Sequence, residues 1–263
     1  MKISHEVPLA LLEKSREFND YDYALVHLFE THPDYYQFFV DSLKQGRHVL
    51  LDNSLFELGK SFNPAKFAEY VVKLKPTEYV IPDVWNDGPA CIQSFKDFVS
   101  EFPDLPGKTI GVVQGATEEE WVECYIFMSE NADKIAMSFG IPLFKKMYEN
   151  TQYSDDLKLM NGRVTMIHRL QQQGIWRGDK PHHLLGCALP QEFVQYRHLK
   201  NIDTIDTSNP IMAGINGLPY GDRGLDEKPL GKLADHLDEG LSKTQLDLVY
   251  GNVKAFRRLV EGE

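Results

Sequence analysis

Short apolar runs recur along the chain, each about the length of a buried strand and each ending on a polar or small residue. HVLLDNS carries Asp52, YVIPDVW carries Asp83, TIGVVQG leads to Gln114, KIAMSFG to Ser138 and Gly140, and NIDTIDTSNP to Asp206. Their β-branched content suits buried strands, and most are separated by segments of helical periodicity. YALVHLF (23–29) and HHLLGCAL add two further strands, and either MKISHE or the Gly-rich segment 213–224 supplies an eighth.

Between the strands, HPDYYQFFVDSLKQG, NPAKFAEYVVKLKP, GPACIQSFKDFVSEFP, ATEEEWVECYIFMSENA, DLKLMNGRVTMIHRLQQQG and PQEFVQYRHLK read as helices, with a less regular stretch at IPLFKKMYENTQYSDD. The acidic first turn of ATEEEW suits a helix N-terminus, where carboxylates meet the positive end of the helix dipole. No Gly-rich dinucleotide fingerprint follows the first strand, so regular β/α alternation predicts a single-domain (β/α)8 TIM barrel rather than an open doubly wound sheet. Such a barrel gathers the strand-end residues on one rim, where these folds hold their active sites. Segment 213–232, rich in Gly, Pro and charge, is expected to be an irregular active-site loop, and 241–263 a closing C-terminal helix.

The chain has 263 residues, enough for a full core. No N-terminal apolar run has signal-peptide length and none approaches a membrane span, so the expected setting is cytoplasmic with no membrane partner. Cys91, Cys124 and Cys187 lack the close spacing of a zinc site or disulfide framework and read as reduced core residues. The net charge of -11 argues against a broad basic coat for nucleic acid. The one basic stretch sets Arg163, Arg169, Arg177, Lys180, Arg197 and Lys200 against only Asp179 and Glu192. Both a solvated helix face and a phosphate-backbone contact fit it.

Asp52 and Asp206 at the ends of different strands form the carboxylate pair that glycosyl transfer needs, one to attack the anomeric carbon and one to move a proton. Asp83 accepts hydrogen bonds and Gln114 both donates and accepts, so together they suit the edge of a purine-like ring, with Phe56 as a stacking face. Any one strand-end Asp is equally explained as a cap of the next helix. Four polar residues on one predicted rim favour a shared site.

The string LLDNSLFELG resembles the DSGGFQ motif of the tRNA-guanine transglycosylases, VVQGA resembles their VQGG, and LLGCALPQEF followed by IDTIDTSNP resembles the segment from their MGVG turn to FDCVLPTR. The matches keep the family's order over roughly residues 48 to 212. The resemblance implies a barrel that cleaves the glycosidic bond of a guanine nucleotide and installs a 7-deazaguanine without a cofactor. It implies Asp206 as nucleophile, Asp52 as general acid and base, Asp83 and Gln114 as holders of the base edge, Ser138 to Gly140 as exocyclic contacts, and Phe56 with Leu185 as two sides of a ring sandwich.

Asn53, Ser54, Leu55 and Glu57 depart from the family's Ser, Gly, Gly and Gln, and the family's C-x-C-x-x-C zinc cluster is absent from the sequence. No bound metal is therefore expected. With no zinc subdomain to dock tRNA, the pattern is similar to compact phage-encoded members that modify DNA, so DNA is expected ahead of tRNA as polymer. A base-excising glycosylase and a catalytically silent nucleotide-binding barrel remain as alternatives, and oligomeric state is open.

Overall fold

In the computed structural model, which describes residues 1–262, eight parallel strands alternate with helices to form a nearly closed barrel. The strands are β1 (Lys2–Ser4), β2 (Asp22–Leu25), β3 (Val49–Asp52), β4 (Glu78–Val80), β5 (Lys108–Val113), β6 (Lys134–Met137), β7 (His182–Leu184) and β8 (Ile202–Asp206). The helices are α1 (Leu12–Ser15), α2 (Pro33–Lys44), α3 (Leu55–Leu58), α4 (Pro64–Leu74), α5 (Gly88–Glu101), α6 (Glu118–Asn131), α7 (Ile141–Met147), α8 (Asp155–Gln172), α9 (Asn209–Ile215) and α10 (Lys243–Glu261). Local chemistry fixes the longer ones: Asn63, Asp87, Thr117, Ser154 and Ser242 each accept a backbone N–H at a helix start, and Pro occupies the first turn of α2, α4 and α5.

The strand order β1-β8-β7-β6-β5-β4-β3-β2 leaves one seam, between β1 and β2. Side chains close it. Asn19 accepts from the His5 N–H at 2.8 Å and donates to the His5 carbonyl at 2.9 Å, while Asp20 accepts from the Ile3 N–H at 2.8 Å and its own N–H reaches the Ile3 carbonyl at 2.9 Å. Register pairs Ser4 with Asp206 and Leu25 with Asp52, so both aspartates stand at the C-terminal rim.

Several boundaries differ from the sequence expectation. MKISHE supplies the eighth strand, whereas Ala213 to Ile215 of the Gly-rich segment end the buried helix α9, with the loop beginning after them. The 23–29 run leaves the sheet at Leu25 and turns into a 3₁₀ helix from Val26, since Leu28 and Phe29 are needed in the core beneath α2. PQEFVQYRHLK forms only a 3₁₀ helix over Pro190–Tyr196, and the stretch read as irregular contains α7. The YVIPDVW strand ends at Val80, because Pro82 cannot donate to a ladder, and Asp83 sits in the following loop. The expected C-terminal helix runs from Lys243 to Glu261, and Glu263 lies outside the described residues.

Most apolar side chains of the strands and their helices form one core, and a smaller one joins Val7, Leu11, Ile211, Met212, Leu233, Val249 and Val253 where α10 packs on α9. Cys91, Cys124 and Cys187 are free and buried. Arg163 of α8 is 0% exposed and ties the rim together. Its Nε lies 2.6 Å from Glu192 Oε1, and its terminal nitrogens donate to the carbonyls of Met137 (3.1 Å), Leu185 (2.7 Å) and Gly186 (2.9 Å). The Phe139 ring covers the guanidinium at 3.9 Å. Arg163→Ala would leave the buried Glu192 carboxylate without its countercharge, with only Tyr196 donating to it, so it is expected to cost about 3–5 kcal/mol in denaturant unfolding. A loss under about 1 kcal/mol would show that the cluster relaxes without it.

Candidate active site

The C-terminal rim surrounds a cavity of about 290 Å³ lined by residues from nearly every βα loop. Asp52 and Asp206 both face it and are both buried. Asp206 Oδ1 lies 3.0 Å from His183 Nε2 and accepts from the Gly186 N–H at 3.2 Å. Asp52 Oδ2 accepts from the Ser54 N–H at 2.7 Å, a contact made possible because Ser54 takes up a left-handed conformation with φ 60° at the start of α3. Burial pushes the Asp52 carboxyl well above the usual carboxylate range, and the charges of Glu57 and Asp206 push it further, against the bond from Ser54 and the hydroxyl of Tyr23. Asp52 is thus suited to hold a proton at neutral pH across from Asp206.

Asp83 and Gln114 meet at the cavity wall. Gln114 Nε2 donates to Asp83 Oδ2 at 2.7 Å, Asn53 Nδ2 donates to Oδ1 at 2.8 Å, and Gln114 Oε1 accepts from the Asn86 N–H at 3.0 Å. Gln114 therefore has its amide orientation fixed, with one Nε2 hydrogen left, and Asp83 keeps free lone pairs. Burial raises the Asp83 carboxyl in spite of the donors from Gln114 and Asn53. Ser138 lines the cavity while its hydroxyl donates to the Val113 carbonyl, and Leu185 lines it from the loop after β7. Gly140 does not line it: a Cβ there would meet the Gly115 carbonyl at 3.2 Å and Trp121 at 3.3 Å, and Phe139 takes the place facing the cavity. Phe56 is at the mouth, 49% exposed, with its ring 6.1 Å from that of Trp85.

Sequence reading missed several lining groups. Glu6 and Glu57 add two carboxylates, and Tyr23, Trp85, Lys228 and Lys232 complete the wall and mouth. Glu6 follows β1, so the strand-end logic applied to MKISHE reaches it. Glu57 lies one position beyond the aromatic Phe56. The Lys228 and Lys232 ammoniums lie 5.6 and 5.0 Å from the centre of the Phe56 ring, and neither has a carboxylate partner among the described residues. Nothing in the 216–232 loop sequence marks those two lysines, because their proximity to Phe56 is set by the fold. That loop is held by paired bonds between Gln191 and the Leu225 backbone, by Asp156 accepting the Lys228 N–H at 2.9 Å, and by Asn216 accepting the Leu230 N–H at 2.9 Å.

The basic stretch from 161 to 200 is not a free cationic face. Arg163 is buried against Glu192, Arg169 pairs with Glu118, Arg177 pairs with Asp179 at 2.7 Å, Lys180 donates to the Ala132 carbonyl, and Arg197 caps the last carbonyls of α10. Most of its cations are thus paired or hydrogen-bonded within the fold. Among the described residues no three His, Cys, Asp or Glu are grouped to hold a metal ion, and no helix is long and apolar enough to cross a membrane. Compared with protein-family models and with curated proteins, the chain matches none. The functional reading therefore rests on the site geometry and on the motif resemblance.

Clustered carboxyls around one cavity make the fold sensitive to pH. Burial lifts Glu57 to about 7, the charge of Asp206 adds to this, and its own backbone N–H and Lys232 oppose it. Burial also raises Glu6 well above its usual range, followed by the charges of Asp206, Glu57 and Asp52. Acids raised on folding stabilise the fold below their unfolded pKa, and that contribution is lost as pH rises through the folded value. Thermal unfolding is therefore expected to show stability falling between about pH 4.5 and 7 through Glu57, a fall that Glu57→Gln reduces. An unchanged slope in the variant would remove Glu57 from the set.

Proposed function

We propose that the protein is a base-exchanging transglycosylase that replaces guanine in a nucleic acid, DNA ahead of tRNA, with a 7-deazaguanine. The observation that carries this reading is the pair of buried aspartates from β3 and β8 on one cavity whose wall holds the fixed Asp83 and Gln114 pair. Asp206 attacks C1′ of the target nucleotide, and the electrons of the broken glycosidic bond go to the departing guanine, which receives the Asp52 proton. The incoming base then loses a proton to Asp52, attacks C1′ from the vacated side and releases Asp206. Two displacements give net retention. A silent nucleotide-binding barrel has no need of a proton-holding carboxyl opposite an anchored carboxylate, which favours a catalyst.

Asp83 and Gln114 meet the hydrogen-bonding edge of the base, and Leu185 and Phe56 border its faces. A target base in a duplex has to leave the stack to reach this depth, so single-stranded or distorted DNA suits the cavity best. Lys228 and Lys232, on the loop that the sequence marked as an active-site loop, are at the mouth, where the sugar-phosphate chain would leave, whereas the cations of the 161–200 stretch, also a candidate for phosphate contact, are mostly paired. The polarity fits a nucleotide in a strand: acidic floor for sugar and base chemistry, cationic rim for phosphate.

The direct test is incorporation of labelled guanine, measured side by side on single-stranded DNA, duplex DNA and tRNA. Asp206→Asn is nearly isosteric and is expected to lose several kcal/mol of transition-state stabilisation, roughly a thousandfold in rate or more. Asp52→Asn is expected to lower the rate at saturating base, while Asp83→Asn weakens base binding by about 1–3 kcal/mol and blurs selection among purines. Guanine release without incorporation would instead assign a base-excising glycosylase, and normal turnover by Asp206→Asn would move the nucleophile elsewhere. Replacing Lys228 and Lys232 with Ala is expected to lower the salt dependence of single-stranded DNA binding by about 0.7 in log–log slope per lysine, read by fluorescence anisotropy.

A further inference from the structure

Beneath Asp206 runs a buried chain of hydrogen bonds that crosses the barrel interior. It begins at Lys134 on β6, 1% exposed, whose Nζ lies 2.7 Å from Glu78 Oε2 on β4, 3.1 Å from Asp203 Oδ2 and 3.3 Å from Thr204 Oγ1 on β8. Glu78 is well matched to this cation: burial would raise its carboxyl, but the bond from His48 and the charge of Lys134 hold it down to about 2. Thr204 Oγ1 lies 2.9 Å from His183 Nδ1, and His183 Nε2 lies 3.0 Å from Asp206 Oδ1. His183 is fully buried, with the Tyr23 ring stacked nearly parallel to it at 6.2 Å.

The direction of each bond follows from the groups themselves. An ammonium only donates, so Thr204 Oγ1 accepts from Lys134 and has one hydrogen of its own to give. Its nearest acceptor is His183 Nδ1 at 2.9 Å, against 3.4 Å for Asp203 Oδ1. A hydroxyl donating to Nδ1 requires that Nδ1 carry no hydrogen, which leaves the ring proton on Nε2, facing the Asp206 carboxylate. The opposite tautomer would set a nitrogen lone pair against a carboxylate oxygen in a dry interior.

We propose that His183 is a positioning residue for Asp206, locked by Thr204 and Lys134 into the tautomer that donates Nε2–H to the carboxylate. The proposal rests on the reading of Asp206 as nucleophile. His183 Nε2 and the Gly186 N–H both fall on Oδ1, so neither holds Oδ2 back from C1′, and the Glu6 carboxyl, also hydrogen-bonded to Asp206, is the neighbour that the target nucleotide displaces. Holding the carboxylate by one oxygen aims the other without removing its lone pairs.

The first test needs no substrate: nitrogen-15 NMR of the wild-type chain labelled at histidine, with the His183 signals assigned by their loss in His183→Gln. The expected spectrum has the ring hydrogen on Nε2, and a hydrogen on Nδ1 alone would overturn the proposal. The second test measures labelled-guanine incorporation into single-stranded DNA. His183→Leu is expected to lose roughly 100-fold in kcat with KM for guanine unchanged. His183→Gln, whose amide can donate toward Asp206 in place of Nε2–H, is expected to recover about tenfold of that loss, one hydrogen bond's worth of rate. Thr204→Val, close in shape, is expected to mix the tautomers in the NMR spectrum and lower kcat alone. Wild-type kcat in His183→Leu, alongside an inactive Asp206→Asn, would overturn the positioning role and leave the nucleophile standing. Full turnover by Asp206→Asn would instead overturn the nucleophile reading on which the proposal rests.

Discussion

The rim of the barrel is organised by one buried guanidinium. Arg163 spends its donors on Glu192 and on the carbonyls of Met137, Leu185 and Gly186, so the ends of β6 and β7 and the 3₁₀ segment after them are fixed to a single group. Gly186 has φ 64°, a left-handed conformation that favours glycine, and in it the N–H points at Asp206 while the carbonyl points back at Arg163. A planar, always-charged fork meets this demand, whereas a lysine could not reach the same set of acceptors in fixed geometry. A buried ion pair of this kind adds little net stability over an apolar replacement, but breaking it is expensive, so it specifies geometry more than it strengthens the fold.

Against that rigid frame the cavity carries a surplus of like charge. Burial and the negative charges of their neighbours raise the carboxyls of Glu6, Asp52 and Glu57. Asp206 stands among them with His183 Nε2 and the Gly186 N–H both close to one of its oxygens. That repulsion is a stability cost concentrated at the cavity.

Substrate polarity follows from the same arrangement. The two lysines that share the Phe56 ring sit on a loop of a chain whose overall charge is strongly negative. Their placement gives a local cationic rim without a basic coat, which is the feature that the function proposed above would use to meet a strand's phosphates.

The barrel was legible in the sequence because β/α alternation and strand-end polar residues are period signals, and each strand's hydrophobic run survives in the linear order. Asp52, Asp83, Gln114 and Asp206 were legible for the same reason, since a parallel barrel sends every strand end to one rim and the sheet register needs only the chain order to do so. Tertiary structure alone decided which charges are free. Arg163 and Glu192 read as members of a basic stretch until α8 packs on the barrel and buries them, while Lys228 and Lys232 read as loop charges until the loop folds over Phe56. His183 and Lys134 fall within apolar strand patterns and show no chemical signature in one dimension. Their link to Asp206 passes through Thr204 across neighbouring strands, and hydrogen bonds between residues distant in sequence exist only once the barrel closes.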